Sequence, residues 1–165
     1  MTKRAAVAGI VAVLATAALA VATGYGSAGA AGESSGNQLI GTWQVAVNRP
    51  APLPPLQSLQ VFTDEGSVIE TANESGRTAA FGSWEHINGR LYASTTVFFR
   101  FDPQTGAYLG TRKVNRTHEL AQDGQSFSPV ARVTTFDPSG NVLDTFIARA
   151  TAVRMQVERI RICRK

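Results

Sequence analysis

The chain has 165 residues, 44% of them hydrophobic, with 16 Lys and Arg against 12 Asp and Glu and one cysteine. That length supports one domain with a real core, and a lone cysteine excludes an internal disulfide framework. The net charge of +4 sits at the two ends: without Lys3 and Arg4, and without the four basic and one acidic residues of positions 156–165, the body holds 10 basic and 11 acidic residues, which removes the case for nucleic-acid binding.

Lys3 and Arg4 form a basic start, residues 5–22 are uncharged and apolar, and Ala28-Gly29-Ala30 offers a small-x-small cleavage pattern. This order is that of a secretory signal. It predicts a signal-peptide helix over residues 1–30, cleavage near Ala30, and a secreted or periplasmic mature chain. The apolar run is close to the ~20 residues that span a bilayer, so an uncleaved anchor is the alternative. The alanine-rich composition and the Ala-x-Ala speak against it, and no stable membrane insertion is expected after cleavage. Residues 31–38 read as a flexible leader.

From there one theme repeats, an alternating or apolar run followed by a turn signal. Residues 38–47 are the first run, and the loop at 48–55 contains four prolines, which a sheet interior does not accept. Runs 56–63 and 67–71 flank Asp64-Glu65-Gly66. Runs 80–87 and 90–101 flank Asn88-Gly89, a strong two-residue hairpin signal. The later runs, 107–121, 125–136 and 142–155, are separated by Asp102 to Gly106, by Gln122-Asp123-Gly124 and by Asp137 to Asn141. Eight short strands with hairpin connections and no helical period predict an all-β fold, an eight-stranded antiparallel up-and-down β-barrel over residues 39–155, whose closure removes exposed edges. Residues 156–165 form a basic C-terminal tail. Cys163 within it is available for an intermolecular disulfide, which together with the barrel surface gives two routes to a dimer.

Side chains alternate between the two faces of a strand. In the fifth run Leu91, Ala93, Thr95, Val97, Phe99 and Phe101 are the expected interior set. In the sixth it is Tyr108, Gly110, Arg112, Val114, Arg116, His118 and Leu120. In the seventh it is Phe127, Pro129, Ala131 and Val133, and in the eighth Phe146, Ala148, Ala150 and Ala152.

Gly41-Thr42-Trp43 opens the first strand and Arg154 lies near the end of the last. With the turn phrases Phe62 to Val68, Gly82-Ser83-Trp84, Phe101 to Gly106 and Phe136 to Asn141, this resembles the calycin pattern and the small secreted bacterial proteins described as lipocalin-like. The resemblance covers residues 39–155. It implies a barrel closed by Gly41, Trp43 and Arg154, with the guanidinium over the indole, and a binding cavity inside. The chain departs from lipocalins in having no cysteine pair and no C-terminal helix pattern, and related small barrels include cyclases. First and last strands must meet for closure in any case, and a guanidinium over an indole contributes about 0.5–2 kcal/mol.

The residues that could hold a ligand are Arg112, Arg116 and His118, placed inside by alternation, with Trp84 and Phe99 as apolar walls. Buried arginines require acids, water or an anion, so a small, partly apolar and anionic ligand is the leading expectation. A cyclase or isomerase using the same cavity and a structural module with a filled core are the alternatives. No catalytic residue is assigned. Metal-ligand spacing, phosphate loops and nucleophile elbows are absent from the sequence, and no cofactor is implied.

Overall fold

The computed structural model describes residues 38–48 and 55–160. The expected signal peptide, most of the expected leader, the middle of the proline loop and Cys163 lie outside them. Within them the alternating runs form β1 Gly41–Val47, β2 Leu56–Phe62, β3 Ser67–Ala72, β4 Ala80–Asn88, β5 Leu91–Phe101, β6 Tyr108–Leu120, β7 Ser126–Phe136 and β8 Val142–Arg154. Each strand pairs antiparallel with its neighbour in sequence, and β8 returns to β1, so the sheet is a closed eight-stranded barrel.

The turns are set by short acidic side chains that replace missing backbone partners. Asp102 accepts the Gln104 and Thr105 N–H groups at 2.8 and 2.9 Å. Asp137 accepts those of Ser139 and Asn141 at 2.9 and 2.8 Å. Thr105 and Gln104 for Asp102, and Asn141 foremost for Asp137, hold both carboxyls below their ordinary values.

At the end where the chain enters β1, the interior is apolar and aromatic. Trp43, Phe62, Tyr92, Leu120 and Phe127 are buried there, with Trp43 edge-on to Phe127 at 4.6 Å between centroids. A second apolar cluster, Ala80, Phe98, Val114, Ala131 and Val133, occupies the other half. Between them runs a polar layer: Ser58, Gln60, Glu70, Ser94, Thr96 and His118 are all buried. Eight strands enclose a lumen that side chains alone can fill, and these layers fill much of it.

The seam is built by Arg154. Its guanidinium carbon lies 4.2 Å from the Trp43 ring centroid. Its N–H groups donate to the carbonyls of Ile40 at 2.7 Å, Gly124 at 3.0 Å, and Gln38. The Trp43 indole N–H donates to the Leu39 carbonyl at 2.9 Å. Gly41 adopts a φ of +126°, and a Cβ there would stand 2.9 Å from Arg154 Nη1, so both backbone angle and space select glycine.

The seventh strand faces as alternation predicts, with Phe127, Pro129, Ala131 and Val133 buried, and so does the sixth from Gly110 onward, with Val114, His118 and Leu120 buried; Tyr108, expected inside, is exposed, beyond a register shift between Arg100 and Phe101. In β8, Ala152 is buried and Ala148 and Ala150 are half-buried, but Phe146, expected inside, is exposed. The fifth strand is reversed: Tyr92, Ser94, Thr96 and Phe98 point inward, and Val97 and Phe99 are exposed. The cause is register. A two-residue loop at Asn88-Gly89 sets Trp84 opposite Ala93, but β4 carries an irregularity between His86 and Asn88, and Trp84 pairs with Ser94 instead. A one-residue shift moves every side chain of a strand to its other face.

Candidate functional site

The polar layer is organised by one acid. Glu70 lies on the β3 face shared with Val68, and its side chain is 4% exposed. Its Oε2 accepts from Gln60 Nε2 at 3.2 Å and from Arg116 Nη2 in a short contact. Its Oε1 accepts from Arg77 Nη1 and Nη2, both at 3.5 Å. Arg116 also donates to Thr96 Oγ1 at 2.8 Å. Burial, aided by the neighbouring Arg77 charge, pulls the Arg116 guanidinium below its ordinary value, and Glu70 opposes that pull.

His118 sits in the same layer with no exposed surface, its Nε2 2.8 Å from Ser94 Oγ. Its Nδ1 meets no hydrogen-bonding group of the protein. Burial, with the Arg116 charge second, pushes its pKa down to about 3. The pair has two parts of a nucleophile relay, but no carboxylate orients Nδ1, and both side chains are buried. A stability effect follows. The unfolded chain takes up this proton near pH 6.5, the folded chain only near 3. Below pH 6.5 the unfolded state therefore binds more protons, so stability is complete above that pH and falls as pH drops. We expect a loss of about 1.5–2 kcal/mol between pH 6.5 and 5, measured by urea unfolding across that range, and a flatter profile for His118→Gln. A wild-type profile without slope there would mean that His118 titrates normally.

At the barrel end opposite the Trp43 seam, the β3–β4 and β5–β6 connections border a cavity of about 190 Å³. Arg77, Arg100, Arg112 and Glu74 supply its charge, and Phe98 is among its apolar walls. The Arg77 guanidinium stacks 3.8 Å from the Phe98 centroid, and that of Arg112 lies 5.9 Å away while its Nε donates to Thr135 Oγ1 at 3.2 Å. Arg77 reaches this position because its loop is sewn to β5. The Phe101 N–H donates to the Gly76 carbonyl at 2.7 Å, and the Thr78 N–H to the Phe99 carbonyl at 3.1 Å. Gly76 has a φ of +72°, and a Cβ there would stand 2.3 Å from the Phe101 oxygen, so only glycine lets the loop lie this close.

Of the residues singled out from the sequence, Arg112 borders this cavity, while Arg116 and His118 lie deeper in the polar layer. Trp84 is half-buried near the seam end, donating its indole N–H to the Thr63 carbonyl at 2.8 Å and meeting Phe62 edge-on; it does not border the cavity. Phe99 is 52% exposed on the outer surface, so it is no interior wall, and the register shift gives that place to Phe98. Glu70 and Arg77 were missed. Glu70 left a trace, a charge on the same strand face as the apolar Val68. Arg77 left none, because loop residues have no period. Among the described residues no group of three or more His, Cys, Asp or Glu comes together. No protein-family model matches the chain, and searches of curated proteins and of solved structures return no match.

Proposed function

We propose that this chain is an exported, lipocalin-like binding barrel that holds a small anionic molecule at its arginine-lined mouth. The supporting observation is the cavity lining, three arginines to one glutamate around a space bounded by Phe98. Guanidinium groups present rigid forks of N–H donors that match carboxylates and phosphates, and a partly enclosed site strengthens their attraction. The space of about 190 Å³ is below the roughly 300–1,000 Å³ of sites for drug-sized ligands, which favours a small molecule over a long-chain lipid.

Calorimetric titration of the exported protein with sulfate, phosphate and small carboxylates at low salt tests this reading. Arg112→Ala is expected to weaken binding of whichever anion is taken by ten- to a hundredfold, the effect of about 1.5–3 kcal/mol for a hydrogen bond to a charged group. Absence of binding by every anion would refute it. That result would favour the second reading, a structural barrel, which draws on the aromatic and aliphatic side chains filling the seam half.

A further inference from the structure

We infer that the mouth selects a short monocarboxylate with an apolar body, of benzoate or hexanoate size, and that Arg77 is its specificity-determining residue. This rests on the anion-binding reading above and narrows it to a ligand class.

Three features set that class. First is volume. About 190 Å³ is below the roughly 300–1,000 Å³ of drug-sized sites and leaves room for a ligand on the order of ten non-hydrogen atoms. The loop that bounds the space cannot retreat freely, because Gly76 and Phe101 are in direct backbone contact at 2.7 Å. Second is the division of the lining. The guanidinium groups share the cavity with Phe101, Pro103 and Leu109 and also with Ser75 and the Glu74 carboxylate, which opposes a second negative charge on the ligand. A ligand charged all round, such as phosphate, or charged at both ends, would set polar oxygens against these apolar groups without partners. A ligand with one charged end satisfies both parts.

Third is the state of Arg77. Its guanidinium carbon lies over the Phe98 ring, 3.8 Å from the centroid, and its two contacts to Glu70 Oε1 are long, both 3.5 Å. Glu70 keeps Arg116 and Gln60 on its other oxygen. Arg77 can therefore turn N–H groups toward a ligand carboxylate while the buried Glu70 charge stays compensated. A guanidinium in this stack offers two parallel donors to one planar carboxylate, a geometry that lysine lacks.

The test is titration calorimetry of the exported full-length mature protein with benzoate, hexanoate, palmitate, malonate and inorganic phosphate. We expect benzoate or hexanoate to bind at least tenfold more tightly than the other three. Arg77→Lys should reduce that binding at least fivefold. Leu109→Ser, at a partly exposed position, should weaken benzoate and leave phosphate unchanged; circular dichroism of both variants checks that the barrel is intact. If phosphate or malonate binds best and Arg112→Ala removes it, the mouth is an anion site but the monocarboxylate class is wrong. Tight palmitate binding would likewise overturn the size limit. Equal benzoate binding by wild type and Arg77→Lys would remove Arg77 from the role. If none of the five binds, the anion-binding reading itself fails.

Discussion

Replacing Glu70 with leucine is expected to lower the unfolding free energy by about 3–5 kcal/mol, the cost of leaving a buried charge without its partner. Glu70 stands between two guanidinium groups, and the side chains of Arg116 and Arg77 are 10% and 4% exposed. Without the carboxylate, Arg116 keeps its bond to the neutral Thr96 hydroxyl, and the two cations repel each other across the vacated space. Glu70→Gln keeps the shape and removes the charge, so it should fall between wild type and Glu70→Leu. The double variant Glu70→Leu with Arg116→Met should recover only part of the loss, because a buried ion pair replaced on both sides by apolar groups is often neutral or better but Arg77 still loses its carboxylate. Urea unfolding followed by tryptophan fluorescence measures all three. A Glu70→Leu protein within 1 kcal/mol of wild type would mean that water reaches this layer and screens the charges.

Arg154→Ala is expected to be nearly as damaging, at about 3 kcal/mol. The side chain ties three carbonyls, on Gln38, Ile40 and Gly124, and covers the Trp43 ring. Each bond from a charged donor is worth roughly 1 kcal/mol or more, and the stack adds about 0.5–2 kcal/mol, less what water recovers at the exposed edge. Lysine can cover the ring but cannot serve three carbonyls in different directions, so Arg154→Lys should regain less than half of the loss. Equal stability of wild type and Arg154→Ala in chemical unfolding would show that the ladder between β1 and β8 closes the barrel unaided.

The fold was readable in the sequence wherever turn chemistry and alternation agreed. Asp102, Asp123 and Asp137 each cap a turn through their own carboxylates, and those turns mark strand ends on which backbone and side chain agree. Arg112, Arg116 and His118 could be read as one face because β6 runs without a break from Arg112 to Glu119 against β5 and β7. The fifth strand was misread for two reasons. Both of its faces carry aromatic residues, and a local irregularity before the hairpin shifts the register by one. The site was only half legible. Glu70 looked like any strand glutamate until the lumen proved polar, and the position of Arg77 depends on Gly76 fitting against Phe101, a contact between segments that no local pattern encodes.

The up-and-down order has a kinetic meaning. Among the described residues, seven of the eight ladders join strands adjacent in sequence, and only the pairing of β1 with β8 joins strands far apart in it. The Arg154 to Ile40 bond closes a loop of 114 residues, and the entropy of closing such a loop must be met before its contacts contribute. The hairpins can therefore zip one after another, with the seam joining last, after the rate-limiting step. Interactions formed after that step appear in the unfolding rate alone. Losing Arg154 should leave refolding as fast as in the parent and shorten the lifetime of the folded barrel by about a hundredfold, the kinetic equivalent of 3 kcal/mol. The seam acts as a latch, governing how long the barrel stays closed and not how quickly it forms.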